Sequence, residues 1–326
     1  MAERGAINLG SDFDMYLEVA TRLETAREDD PALAECDPGE MIRHVRGKRA
    51  ILHCTLDDRP AVLRLGLTPN DTANAKTWAE MKRLWPYMRD GKARIAEPLH
   101  FSPDHDILIV AEVPGQPLLR SIRASDGHSR VHHLAPAAGW LQRATAMTTE
   151  WRPARPAPWL ARAIAAATHQ CFPNLRALET EIIDRIQTLA NHIEGKEWRV
   201  AICHGDLHPN NLILEGDRLT GIDIGGSSYL PIYKDMARFL MHMGRRDITL
   251  SGDWWMGVDR AGAYAFRDAF ALDEFEFGTV FPFMLGVEAL IRVETQQLPP
   301  TRIKRAERMY RRLLKDLSHR VKNISQ

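Results

Sequence analysis

The sequence predicts an α+β chain with two lobes, a small β-rich N-lobe and a larger, mainly helical C-lobe. Three observations predict it. Short runs rich in Val, Ile and Leu, punctuated by turn residues, fill residues 41–67. Apolar residues at i, i+3, i+4 and i+7 dominate the chain after residue 115. A polar island flanked by strand-like runs interrupts that helical half at residues 198–230. With 326 residues, 44% of them hydrophobic and 26% charged, the chain can bury a large core.

Residues 12–28, DFDMYLEVATRLETARE, carry apolar positions at helical spacing with acids near the start, which predicts an amphipathic helix, and the following DDPALAECDPG reads as a loop. From Met41 the runs MIRHV, RAILHCTL and RPAVLRLGL predict three antiparallel strands, turned at Arg46-Gly47-Lys48 and at Asp57-Asp58-Arg59-Pro60. A helix is expected over Asn74–Met88, then an apolar strand, ILIVAEV, stopped by Pro114-Gly115. Beyond it, LAPAAGWLQRATAMTT, LRALETEIIDRIQTLANHI, KDMARFLMHM, FRDAFAL and RAERMYRRLLKDLSHRV all have helical periodicity, and the proline-rich run Arg152–Pro158 reads as a loop. The expected division is a helical extension at 1–36, an N-lobe at 37–113 and a C-lobe at 114–326.

Charge and cysteine content narrow the function. Basic and acidic residues balance at 43 each, so no global field draws the chain to nucleic acid or to an anionic membrane. Four scattered cysteines without a C-x-x-C pair fit a reducing compartment. The first twenty residues lack the apolar core of a secretory signal, and no run approaches a membrane span, so a cytoplasmic protein is expected.

The chemistry is expected in the polar island. An apolar run, AIC, leads into His204-Gly205-Asp206-Leu207-His208-Pro209-Asn210-Asn211; a second, NLIL, leaves it, and a hairpin-like return ends at Gly221-Ile222-Asp223-Ile224-Gly225. Two carboxylates and an amide gathered in this way suit phosphoryl transfer, which needs an oriented hydroxyl and fixed metal ions more than covalent work. Asp206 is suited to accept the proton of an acceptor hydroxyl. Asn211 and Asp223 supply the hard oxygen ligands that Mg²⁺ prefers.

These motifs resemble those of the aminoglycoside phosphotransferase family, whose relatives include choline kinases and bacterial sugar kinases, and they are similar to the Asp, Asn and D-x-G pattern of protein kinases. The resemblance implies a protein-kinase-like fold and an ATP- and Mg²⁺-dependent transfer to a hydroxyl of a small molecule. It also implies that Arg46-Gly47-Lys48, with Gly47 at its turn, is a nucleotide loop, and that Arg64 in Val62-Leu63-Arg64-Leu65 holds the α- and β-phosphates where many kinases use lysine. Glu80 would pair with Arg64, and Ala111 and Val113 would offer backbone groups to adenine. Asp235 would cap a helix and brace the loop, and His204 would bond a backbone carbonyl or Asp223. His208 reads as an exposed loop residue or, alternatively, as a substrate contact.

Other readings compete. His204, Asp206 and His208 form a set that could hold Zn²⁺, but it leaves Asn211 and Asp223 unexplained. A kinase-fold scaffold usually lacks the base or a metal ligand, and all three are present here. A protein or glycan acceptor is disfavoured by the short path from Asp223 to the Asp235 helix, with no A-P-E segment. Acids at Asp268, Asp273, Glu274, Glu276, Glu288 and Glu294 suggest an aminated acceptor, such as an aminoglycoside, an amino sugar or choline.

Overall fold

The computed structural model describes residues 9–126, 129–225 and 228–324. The chain forms two compact units: Met1–Arg89 with Ile95–Pro114, and Asp90–Arg94 with Gly115–Gln326.

The first unit is an antiparallel sheet with two helices. Helix α1 (Leu9–Asp29) leads to strands β1 (Cys36–Val45), β2 (Arg49–Leu56) and β3 (Arg59–Gly66), then helix α2 (Ala73–Met88). After the short β4 (Ala93–Ile95) come β5 (Pro98–Ser102) and β6 (Ile107–Ala111), and the sheet order is β1-β2-β3-β6-β5. Asp57 and Asp58 both take left-handed φ angles, 52° and 62°, as a two-residue hairpin between Leu56 and Arg59 requires.

Sheet periodicity decides what each face holds. Ala61, Leu63 and Leu65 of β3 and Leu52 and Cys54 of β2 form one buried cluster with Val19, Leu23 and Ala26 of α1. The helix residues recur at i, i+4 and i+7, one apolar stripe laid on the sheet. Val62 and Arg64 alternate with the buried set and are half-buried. Within the segment expected as a helical extension at 1–36, α1 packs on this core, and the Arg22 guanidinium donates to the Gly66 carbonyl at 2.8 Å. The segment Cys36–Gly39, expected as loop, is the start of β1, because Cys36 is fully buried against the sheet. Strand β5 was not anticipated.

The second unit is mainly helical. It contains β7 (Gln116–Pro117), α3 (Leu118–Ala124), α4 (Leu134–Thr145), β8 (Glu150–Pro153), α5 (Ala157–Ala167), α6 (Pro173–Ile193), β9 (Glu197–Ile202), β10 (Leu212–Glu215), β11 (Arg218–Gly221), β12 (Tyr229–Pro231) and α7 (Tyr233–Gly244). The hairpin of β13 (Trp254–Trp255) and β14 (Val258–Asp259) follows, then α8 (Arg260–Phe270), α9 (Phe281–Leu290) and α10 (Pro300–Ile324). Its small sheets run β4-β11-β10-β7 and β12-β9-β8. Part of the proline-rich run is strand rather than loop: Arg152 and Pro153 pair with Trp198 and Glu197 of β9. Proline is tolerated there because β8 is an edge strand and Pro153 is its last residue. All ten residues of α9 are buried, so this helix is the centre of the unit. Among the described residues, no helix is long and apolar enough to cross a membrane.

Candidate active site

Strand β9 ends in a polar loop that β10 and β11 return to. Buried Val200, Ala201 and Cys203 fix the strand, and Leu207, fully buried, pins the loop between its polar residues. Three hydrogen bonds then close the loop on itself. The Asn211 side-chain Nδ2 donates to the Asp206 carbonyl at 3.1 Å, and the Ile222 N–H donates to the Asn211 carbonyl at 3.0 Å. His204 donates its Nε2 proton to the Ile222 carbonyl at 3.0 Å. Asp206, Asn211 and Ile222-Asp223 are thus tied by consecutive bonds within one unit. Asn211 is buried and its amide nitrogen is committed, which sets the orientation of its oxygen. Asp223 is exposed and has φ 54°, a left-handed conformation that an aspartate adopts at a cost. An oriented amide oxygen beside an exposed carboxylate is a donor set that suits a hard divalent cation.

Asp206 is half-buried and heavily engaged. Its Oδ1 accepts from Arg238 Nε at 2.6 Å and from Arg292 Nη2 at 2.9 Å, and His208 Nε2 lies 3.7 Å from Oδ2. Burial pushes this carboxyl up, but the Arg238 hydrogen bond and the charges of Arg238 and Arg292 outweigh it and hold the group below the usual carboxylate range. The Asp206 carboxylate is therefore ionised at neutral pH. His208 is not the exposed loop residue expected: its ring stacks on His242 at 4.7 Å between centroids. Burial, then Arg238, pushes its imidazole down to about 4, and burial with Arg246 lowers His242 further.

The loop rests on a floor that the motif does not reveal. Trp140 of α4 is buried, donates its indole N–H to the Arg94 carbonyl at 2.7 Å and meets the His204 ring edge-on at 6.0 Å. A Cβ on Gly221 would lie 2.0 Å from this indole, so only glycine fits at the residue that leads to Ile222 and Asp223. Asp235 braces the loop by accepting the Gly205 N–H at 2.9 Å, and Lys234 donates to the Gly205 carbonyl. Asp235 does not cap α7, because the helix begins earlier and its N-cap position, Ile232, makes no side-chain bond.

In the first unit, Gly47 sits in the β1–β2 turn with φ 65°, and its carbonyl accepts the Thr68 hydroxyl at 2.9 Å. A cavity of about 660 Å³ brings Lys48 of that turn together with Arg43, Arg49, Arg64, Thr68 and Asn74. Glu80 is buried in α2 and receives a bidentate fork from Arg83, at 2.8 and 2.5 Å, a partner the sequence did not suggest. The Ala111 N–H is committed to the Glu97 carbonyl at 2.9 Å, and Val113 lies past the end of β6.

Sequence reasoning missed Arg238, Arg292, His242 and Trp140. Arg238 lies in a run that has only the generic signature of a helix, and Arg292 reaches Asp206 from 86 residues away. The Zn²⁺ alternative loses its geometry, since His204 turns to Ile222 and His208 to His242. Among the described residues, no group of three His, Cys, Asp or Glu side chains could hold a metal ion.

The acids expected to face an acceptor divide in two. Glu276, Glu288 and Glu294 are buried. Glu276 pairs with Arg199 at 2.6 Å and accepts the Tyr233 hydroxyl, and Glu294 pairs with Arg245. Both Glu288 carboxylate oxygens lack a hydrogen-bond partner, and burial raises its carboxyl against the pull of Lys234, Arg238 and Arg292. Asp268, Asp273 and Glu274 remain exposed.

Comparison with known proteins identifies the fold and the family. The family model described as "Phosphotransferase enzyme family" matches residues 49–270. No curated protein sequence matches the chain. Among solved structures, a glucosamine kinase in complex with glucosamine, ADP and inorganic phosphate is similar with TM-score 0.57 and 13% identity, covering 90% of this chain and 84% of that one. An amicoumacin kinase in complex with AMP-PNP, Ca²⁺ and Ami gives 0.56 at 12% identity, covering 91% and 95%. A choline/ethanolamine kinase family protein from Mesorhizobium loti gives 0.56 at 15%, covering 93% and 99%. At such identities the likeness establishes the protein-kinase-like fold. Together with the family match over residues 49–270, it means that the chain belongs to the phosphotransferase enzyme family and is a phosphotransferase.

Proposed function

We propose that this enzyme is an ATP- and Mg²⁺-dependent kinase that transfers the γ-phosphoryl group to a hydroxyl of a small molecule. The observation that carries the reading is the closed loop in which Asp206, Asn211 and Asp223 are joined through bonds to the Asp206, Asn211 and Ile222 backbone. Asp206, ionised and anchored by Arg238, orients the acceptor hydroxyl and takes its proton as the oxygen commits to phosphorus. Asn211 and Asp223 are the residues that would hold Mg²⁺, which when bound neutralises phosphate charge. In the first unit, Lys48 and Arg64 line one basic cavity and would hold nucleotide phosphates, with Gly47 giving the turn its left-handed bend. Glu80 would order that region from α2, and the backbone near Ala111 and Val113 would receive adenine. With the Ala111 N–H already spent, Val113 is the better placed of the two.

The glucosamine kinase and the choline/ethanolamine kinase family protein are named for aminated compounds, and such acceptors belong in any first panel. The test is ADP release from Mg-ATP across aminated, neutral and acidic hydroxyl compounds. Asp206→Asn should lower kcat by about 10²- to 10⁴-fold with Mg-ATP binding retained, whereas Asp223→Ala should lose Mg-dependent nucleotide binding. Full turnover in Asp206→Asn would overturn the assignment of the base.

A further inference from the structure

The second unit holds a cavity that the catalytic loop does not use. Its volume is about 1000 Å³, at the upper end of the range for small-ligand sites, and its walls come from the β13–β14 hairpin, α8 and the C-terminal half of α10. Gly278, also in the wall, belongs to the π-helical turn Glu276–Val280, which runs directly into α9. Such turns are rare and recur at functional sites. From Gly278 to Leu290, at the far end of α9, the helix rises about 18 Å, and Arg292 just beyond it reaches Asp206. The cavity and Asp206 therefore sit at opposite ends of one buried helix, on the order of 20 Å apart.

Three half-buried aromatic rings form one wall. Trp255 stacks on Phe277 with centroids 4.7 Å apart and planes 4° from parallel, and Tyr264 meets Phe277 edge-on at 5.3 Å. The Arg267 guanidinium lies 4.3 Å from the Tyr264 centroid and 5.6 Å from that of Phe277, held against both rings by cation–π attraction. Rings of this size are normally enclosed, and three left half-open around one cavity mark a surface that a flat apolar partner completes.

Helix α10 supplies a basic wall. Lys315, His319 and Lys322 lie at i, i+4 and i+7, one face of the helix, and all three are exposed. Arg320 donates its Nε proton to the Gly278 carbonyl and so ties this helix to the π-helical turn. Two of the acids in the lining are already engaged by backbone amides: Asp316 Oδ2 accepts the Met256 N–H and Asp273 Oδ1 the Glu276 N–H, each at 2.7 Å. Exposed ammonium groups facing a ring-lined hollow suit a ligand that joins an aromatic ring to a negative charge.

We propose that this cavity is a second ligand site, which takes a small organic anion carrying a flat aromatic ring: the ring seats against Trp255, Tyr264 and Phe277, and Lys315 and Lys322 receive the anionic group. The site is separate from phosphoryl transfer at Asp206 and does not depend on the ATP-dependent reading of that residue.

Isothermal titration of the full chain tests it, with a saturating non-hydrolysable Mg-ATP analogue present to fill the nucleotide site. The probes are 1-naphthyl phosphate and 2-naphthoate as anionic rings, benzamidine as a cationic ring and inorganic phosphate as an anion without a ring. One equivalent of an anionic ring should bind, about tenfold or more tighter than benzamidine or inorganic phosphate. Lys315→Gln combined with Lys322→Gln, at exposed positions that cost the fold little, should weaken that binding by about fivefold or more, leaving affinity for the Mg-ATP analogue within about twofold. Trp255→Phe, which keeps a ring in place, should retain binding and remove most of the quenching of tryptophan fluorescence that the ligand causes in the unaltered chain. No binding of either anionic ring, tighter binding of benzamidine, an unchanged affinity in the double lysine variant or full quenching in Trp255→Phe would overturn the proposal.

Discussion

The sheet of the first unit and the loop at residues 204–223 are both strand-based and both carry side chains proposed for one reaction, yet they are held in place by different forces. In the sheet, alternate residues of β2 and β3 are buried under α1, and Arg64 gains its position because Leu63 and Leu65 on either side of it are fixed. In the loop, position comes from hydrogen bonds to backbone groups and from buried charges at Asp235 and Lys234. Apolar packing tolerates small shifts and loses energy in proportion to the area lost. A polar loop loses its geometry when a single partner goes, because the group left behind is buried and unsatisfied.

The largest stability effect is expected in the sheet. Leu63→Ala should destabilise the protein by about 2–5 kcal/mol in denaturant unfolding, with kcat per folded molecule preserved. A comparable loss of kcat would mean that the two regions are not held in different ways. Asp235→Ala should cost less, about 1.5–3 kcal/mol, but should lower kcat, since the Gly205 N–H loses its acceptor next to Asp206. Stability and activity measured together on the two variants should therefore rank them in opposite orders.

The smallest effect depends on pH. His242 is held below the ordinary imidazole range by burial and by Arg246, His208, Arg238 and Arg302. The unfolded state therefore binds the proton first, so the stability contributed by neutral His242 is present above its unfolded pKa of about 6.5 and is lost as pH falls, by up to about 1.4 kcal/mol per pH unit. His242→Phe should flatten the acid limb of Tm against pH. An unchanged slope would show that the stacked pair does not carry the acid sensitivity.

How much of this was legible in the sequence follows from what kind of order each element has. Strong periodicity announced α1, α2, α6 and the first three strands to within a few residues, and the polar island pointed to Asp206, Asn211 and Asp223, which the loop bonds join, because those residues are close in the chain. Strand β5, with the sequence Pro98-Leu99-His100-Phe101-Ser102, shows no clean alternation, and β8 ends in proline, so neither has a period to detect. The acids of the C-terminal half were assigned to the wrong surroundings for a related reason. Periodicity gives the face of a helix but not what lies opposite it, and the partners of Glu276 and Glu294, namely Arg199 and Arg245, come from β9 and the end of α7. Arg238 and Arg292 were invisible on the same grounds.

Helix α9 limits how this enzyme can adapt to a new acceptor. Every one of its residues is enclosed, and the chain leaving it delivers Arg292 to Asp206. A change in its sequence disturbs the centre of the larger unit before it alters the chemistry. Diversification is therefore channelled to exposed positions outside this helix, such as Asp268 and Glu274, whose replacement leaves its packing untouched.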